Sequence, residues 1–138
     1  MFFIFKRVRR IIIRRKGSQK EYLLHKETAR KLVHERLKYF NQFYGFKYNK
    51  VSIRNQKTRW GSCSKSGNLN FSYKLVLLPP HLSDYIIIHE LCHLKEFNHS
   101  QAFWDLVAQQ APDYKKAINE LKTSLRLDNF SHKSSPLV

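Results

Sequence analysis

Cysteine is nearly missing from this chain of 138 residues, with only Cys63 and Cys92 present. Two thiols cannot build a disulfide framework, and without a CxxC pair they do not suggest a thiolate zinc knuckle. They read as free thiols of a reducing, cytoplasmic setting. Long apolar runs are missing too: none approaches the ~20 residues that a membrane-spanning helix needs. The opening Met1-Phe2-Phe3-Ile4-Phe5 is apolar but is followed at once by Lys6, Arg7, Arg9 and Arg10. A secretory signal runs in the opposite order, so no export is expected. Acid is scarce: 10 Asp and Glu face 26 Lys and Arg, a net charge of +16. That excess suits polyanions as partners or substrates, whether nucleic acid, nucleotides or an anionic membrane surface. A solvated basic face kept for solubility explains it equally well. No repeat and no internal linker interrupts the chain.

What is present is enough for a core. Hydrophobic residues make up 42% and aromatics 14%, which excludes a disordered chain. The length fits one domain, expected over residues 1–127, with a frayed tail over 128–138. Residues 2–16 are apolar and basic, with the β-branched run Ile11-Ile12-Ile13, and predict one or two strands ended by Gly17-Ser18. From Lys20 to Tyr44 apolar residues recur at helical spacing (Tyr22, Leu23, Ala29, Leu32, Val33, Leu37, Phe40), and Gly45 is a plausible stop. Val51 and Ile53 alternate with polar neighbours, and Leu69 to Leu77 alternates again, which predicts strands with a hairpin at Gly67-Asn68. Pro79-Pro80 can open a helix. Tyr85 to Leu94 is apolar nearly all round except at His89, Glu90 and His93, the signature of a buried helix. Further helices are expected from about Ser100 and after Pro112.

The chemistry lies in His89-Glu90-Leu91-Cys92-His93. Residues four apart on a helix share a face, with Cβ atoms roughly 5–6 Å apart, so two imidazoles can converge on one tetrahedral ion. Glu90 then flanks the ion without binding it and can take a proton from water. Two incidental histidines on a helix are the bland alternative. Burying two histidines and a glutamate on an apolar helix without partners would be costly, however, and a metal supplies the partner. His99 is the candidate third ligand. A continuous helix would carry it ~9 Å along the axis and off the shared face, so the helix must end first. Asn98 can adopt the left-handed conformation that stops a helix, and Asn98 or Ser100 can cap the next one. Glu120 is the rival ligand, favoured instead as a solvated helix charge. This pattern predicts a zinc-dependent hydrolase holding one zinc per chain.

Beyond that motif, several stretches resemble a known family. They are Arg59-Trp60-Gly61-Ser62-Cys63-Ser64, Leu69-Asn70, Leu75, the run from Asp84 to Leu94, Asn98-His99-Ser100 and Phe103-Trp104. Together they look like the YgjP-like metallopeptidases, related in their core to SprT-like proteases. The resemblance is close over about residues 50–108 and loose before it, where the segment ahead of the first helix looks shorter than usual. It implies a zincin-like α+β fold, with a small, mostly antiparallel sheet packed on the metal-bearing helix and flanking helices. It also implies His89, His93 and His99 as ligands and Glu90 as catalytic base. The histidine spacing equals that of metzincins, but those carry a glycine where this chain has Glu96, so it is not placed among them. In zincins an edge strand often pairs with extended substrate; Asn70 to Leu77 or the strand near Arg54 could serve. Arg59 and Tyr73 are candidates to face the substrate, beside the plainer readings of an ion-paired arginine and a core tyrosine. Arg54, Lys57 and Arg59 before Trp60 admit a phosphate-bearing substrate, and thus a metal-dependent nucleotide phosphohydrolase. Aromatics interleaved with basic residues in the first half admit a nucleic-acid-binding module.

Overall fold

The computed structural model describes residues 17–123. The strands expected over residues 2–16 and the tail over 128–138 lie outside them. The fold is α+β. Helix α1 spans Gln19–Tyr44. Strands β1 (Val51–Arg54), β2 (Gly61–Cys63) and β3 (Leu69–Ser72) follow, then a 3-10 helix over Tyr73–Leu77. Helices α2 (Pro80–Cys92) and α3 (Gln101–Gln110) come next, and α4 covers residues 114–123.

Each end of α1 is set by one residue. The Ser18 hydroxyl accepts from the Glu21 amide at 3.0 Å, satisfying a first-turn donor. Gly45 closes the helix at φ 66°, in the left-handed region, and its amide reaches the Asn41 carbonyl. Ala29, Val33, Leu37 and Phe40 form the buried stripe. Leu23, expected on that stripe, is instead 59% exposed. Arg36 clamps α1 to α2 through a two-pronged contact with Asp84, at 2.8 and 3.1 Å.

The sheet order is β1-β3-β2. β2 and β3 form the expected antiparallel hairpin, pairing Gly61 with Phe71 and Cys63 with Leu69. β1 joins β3 in parallel, pairing Val51 with Leu69 and Arg54 with Ser72. The sheet is therefore mixed rather than mostly antiparallel, and its central strand is β3. The strand expected to run to Leu77 stops at Ser72. There the serine hydroxyl accepts from the Lys74 amide at 3.1 Å and turns the chain into the 3-10 helix. Tyr73 and Leu75 stay fully buried through that turn, which is why alternation alone reads as a longer strand. Pro80 then opens α2 in its first turn. The helix is buried on nearly every side, including Ile86, Ile87, Ile88, Leu91 and Cys92. It lies inside the domain, between α1, the sheet and α3.

Candidate metal centre

His89 and Glu90 sit on the last turn of α2, and His93 is its C-terminal cap. Helical geometry brings His89 and His93 together: their Nε2 atoms are 3.1 Å apart. The helix stops at once. Leu94 and Lys95 donate to the carbonyls of Leu91 and Cys92, both at 3.1 Å, which tightens the final turn. Among the described residues no non-glycine has positive φ, so the left-handed Asn98 expected from sequence is not used. The three-residue bonds consume the last carbonyls without it. Ser100 caps α3, accepting from the Phe103 amide at 3.4 Å. The loop between the helices swings His99 back, its Nε2 3.2 Å from those of both His89 and His93.

Three ring nitrogens thus form a nearly equilateral triangle. The protonation chemistry says what belongs at its centre. His93 Nδ1 lies 3.0 Å from the Glu96 carbonyl oxygen, which can only accept. Neutral His93 must therefore carry its proton on Nδ1, leaving a bare lone pair on Nε2. His89 Nδ1 lies 3.1 Å from the Tyr85 hydroxyl, which accepts from it when the His89 proton sits on that nitrogen. Lone pairs converging at this spacing repel unless a cation lies between them. Tetrahedral zinc with Zn–N bonds of about 2.0–2.1 Å needs nitrogens about 3.3 Å apart, close to what is found. The three side chains fit a metal, and no other cluster of potential ligands among the described residues does so.

The surroundings favour neutral imidazoles. His89 is driven down to about 3, chiefly by burial and then by His93 and His99. Burial also lowers His93, against the opposing pull of the Glu96 carbonyl. Phe103 stacks on His93 at 4.3 Å between ring centroids, and Trp104 on His99 at 5.8 Å.

Glu90 is 7% exposed and lies beside the triangle in the same cleft. Burial pushes its carboxyl up to about 8, with Arg59 pulling the other way. Gly61 of β2 makes room for it: a Cβ there would stand 3.0 Å from Glu90 Cγ and 3.1 Å from the Asn70 carbonyl. The cleft has a volume of about 570 Å³. Arg59, Trp60, Gly61 and Cys63 form one wall, Tyr85 and Ile86 another, and Leu121 of α4 lies at the rim.

Of the residues expected to meet substrate, only Arg59 lines this cleft. Tyr73 is fully buried, its ring against Tyr22 and His25 at 5.7 and 6.2 Å, so its place is in the core. Arg54 lies outside the cleft lining and donates to the Asn70 side chain at 2.8 Å. Glu120 faces His81 at 3.1 Å and takes no part in the histidine triangle. Sequence reasoning missed the role of Tyr85, although its place one turn before His89 was a usable signal. It also missed Gly61 as the seat of Glu90, which no local pattern announces. Both thiols are free; burial pushes each up to about 11, and Cys63 faces the added charge of Glu90.

A domain of this fold with an H-E-x-x-H helix and a third histidine on the following loop belongs to the metallopeptidase class. The chain is a member of the YgjP-like family: the model of the YgjP-like metallopeptidase domain matches residues 14–124, well beyond the stretch of closest motif resemblance. Among solved structures it is similar to the metallopeptidase zymogen of Pyrococcus abyssi abylysin. The two share 30% identity at a TM-score of 0.61, over 68% of this chain and 95% of that one. No curated protein matches.

Proposed function

We propose that the chain is a zinc peptidase in which His89, His93 and His99 hold one ion and Glu90 is the catalytic base. The observation that carries this reading is the triangle of Nε2 atoms, with the His93 proton held on the far side by Glu96. An all-imidazole donor set suits zinc among the common divalent ions. When bound, zinc would supply acidification of a water molecule and polarisation of the scissile carbonyl. Glu90 takes the proton from that water and delivers it to the leaving amine. Burial raises the Glu90 carboxyl and favours its protonated form in the metal-free site; the positive charge of a bound ion would draw that proton off and leave a carboxylate able to act as base. Arg59 lies in the same cleft and presents positive charge to the carboxylate and to substrate.

Substrate is held by the sheet edge. Among the described residues β2 pairs only with β3, so its other edge is open beside α2, and Gly61 and Cys63 line the cleft. An extended peptide adds there as a further strand. Of the two edges expected from sequence, the strand holding Asn70 is central, whereas β1, which ends at Arg54, is an edge strand that does not line the cleft. Free thiols fit the reducing cytoplasm assigned to the chain. Among the described residues no helix is long and apolar enough to cross a membrane.

The test is metal content together with turnover. Purified wild-type protein should hold about one zinc per chain and His93→Ala should lose most of it, whereas Glu90→Gln should keep zinc and lose peptide cleavage. Hydrolysis of nucleoside triphosphates in place of peptides would move the function to phosphoanhydride chemistry at the same centre. Single-stranded DNA, added at low salt, tests the basic surface for nucleic-acid binding separately.

A further inference from the structure

A second cavity of about 390 Å³ adjoins the cleft and shares His93 and Phe97 with it. Three lysines, Lys47, Lys65 and Lys95, line it and no acidic residue does. All three are exposed, and among the described residues no carboxylate pairs with them. The Lys65 ammonium lies 5.8 Å from the centroid of the Phe97 ring, which in turn lies 6.1 Å from that of His93. The positive charge is therefore gathered next to one of the three histidines. Glu96, next in sequence to Lys95, is not among the lining residues.

Chain direction connects the two cavities. Gly61 and Cys63 of β2 border the cleft, and Ser64 to Gly67, the turn that follows, borders the lysine cavity. A peptide paired along β2 passes from one to the other within a few residues, at about 3.3 Å per residue. We infer that the lysine cavity is a side-chain subsite that selects an acidic residue, Asp or Glu, of a peptide whose scissile bond lies over the histidines. This rests on the peptidase reading. Three lysines lining a cavity together with Leu94 and Phe97 supply what a carboxylate on a short apolar stem requires.

The experiment uses full-length, zinc-loaded protein. A mixed peptide pool first locates the cleaved bonds; peptide pairs differing only by Glu or Gln are then compared at each position within three residues of the bond. At one position Glu should be preferred about tenfold in kcat/KM, the combined factor for several exposed ion pairs. The preference should shrink at 1 M salt. The variant Lys47→Glu/Lys65→Glu/Lys95→Glu should reverse it toward a Lys-containing peptide, with the Gln peptide as internal reference. Zinc-loaded Glu90→Gln, which binds without cleaving, should show the same order of affinity in fluorescence anisotropy. Equal handling of Glu and Gln at every position overturns the inference, and so does a Glu preference that survives charge reversal. In both cases peptides are still cut, so the peptidase reading stands. Triphosphate hydrolysis with no peptide cleaved at all overturns both.

Discussion

Gly61→Ala separates the seat of the base from the seat of the metal. The added methyl would stand 3.0 Å from Glu90 Cγ, 3.1 Å from the Asn70 carbonyl oxygen and 3.2 Å from Phe71 Cδ1. Comfortable carbon contacts lie at about 3.5–4.0 Å, so three walls must yield by several tenths of an ångström. Two of them resist: Asn70 is backbone of the central strand, and Phe71 is fully buried. Glu90 is the wall that moves. Overpacking of this kind costs about 1–3 kcal/mol. At roughly 2–4 °C per kcal/mol for a domain of this size, the melting temperature should fall measurably. A misplacement of about 1 Å costs about a hundredfold in turnover, so a shift of several tenths of an ångström in the group that handles the proton should lower kcat by several-fold to about tenfold. Zinc affinity should stay within a few-fold of wild type, because none of the three histidines is touched. Urea denaturation, zinc titration and kcat on one peptide read the three quantities separately. Gly45→Ala is the control: its Cβ would meet nothing within 4 Å, so at φ 66° it costs stability alone and leaves turnover at the wild-type level. A Gly61→Ala protein with wild-type stability and turnover would refute the packing of Glu90 against β2.

Other outcomes follow from the same geometry. Tyr85→Phe removes the oxygen 3.1 Å from His89 Nδ1 and should weaken zinc binding by about tenfold, measured by competition with a chelator. An unchanged affinity would exclude Tyr85 from orienting that ring. For the metal-free protein, His89 is lowered from 6.5 to about 3, so the unfolded chain binds a proton that the folded one refuses. Its contribution is complete above pH 6.5 and is lost as pH falls toward 3, at up to about 1.4 kcal/mol per pH unit. Glu90 acts in the opposite sense: raised to about 8, it holds a proton that the unfolded chain releases above 4.5, so stability falls as pH rises from 4.5 to 8. The two effects offset each other between pH 4.5 and 6.5, so urea midpoints of the metal-free protein should be highest across that range and decline on both sides of it. A flat profile would contradict the burial of both groups.

Local chemistry decided a large part of this molecule. Spacing on one helix was enough to pair His89 with His93 and to set Glu90 between them, because helical geometry holds wherever the helix is placed. Ser18, Gly45, Pro80 and Ser100 marked element ends through backbone bonds or fixed dihedrals that involve near neighbours only. The need for His99 to turn back could also be argued from rise per residue, although the means of turning could not: i to i−3 bonds replaced the left-handed Asn98.

Tertiary structure alone decided which side chains share the cleft. Tyr73 and Arg59 are both plausible substrate contacts in one dimension. A 3-10 turn begun by the Ser72 hydroxyl sends Tyr73 into the core, and the approach to β2 leaves Arg59 beside Glu90. The parallel pairing of β1 with β3 makes β3 central and, among the described residues, leaves β2 at an edge beside the cleft, an arrangement that alternation cannot encode. Gly61 matters only because Glu90, 29 residues later, is packed against it. A sequence carries dihedral preferences and periodicities between neighbours; the distances between elements exist only once burial of the common core has brought them together.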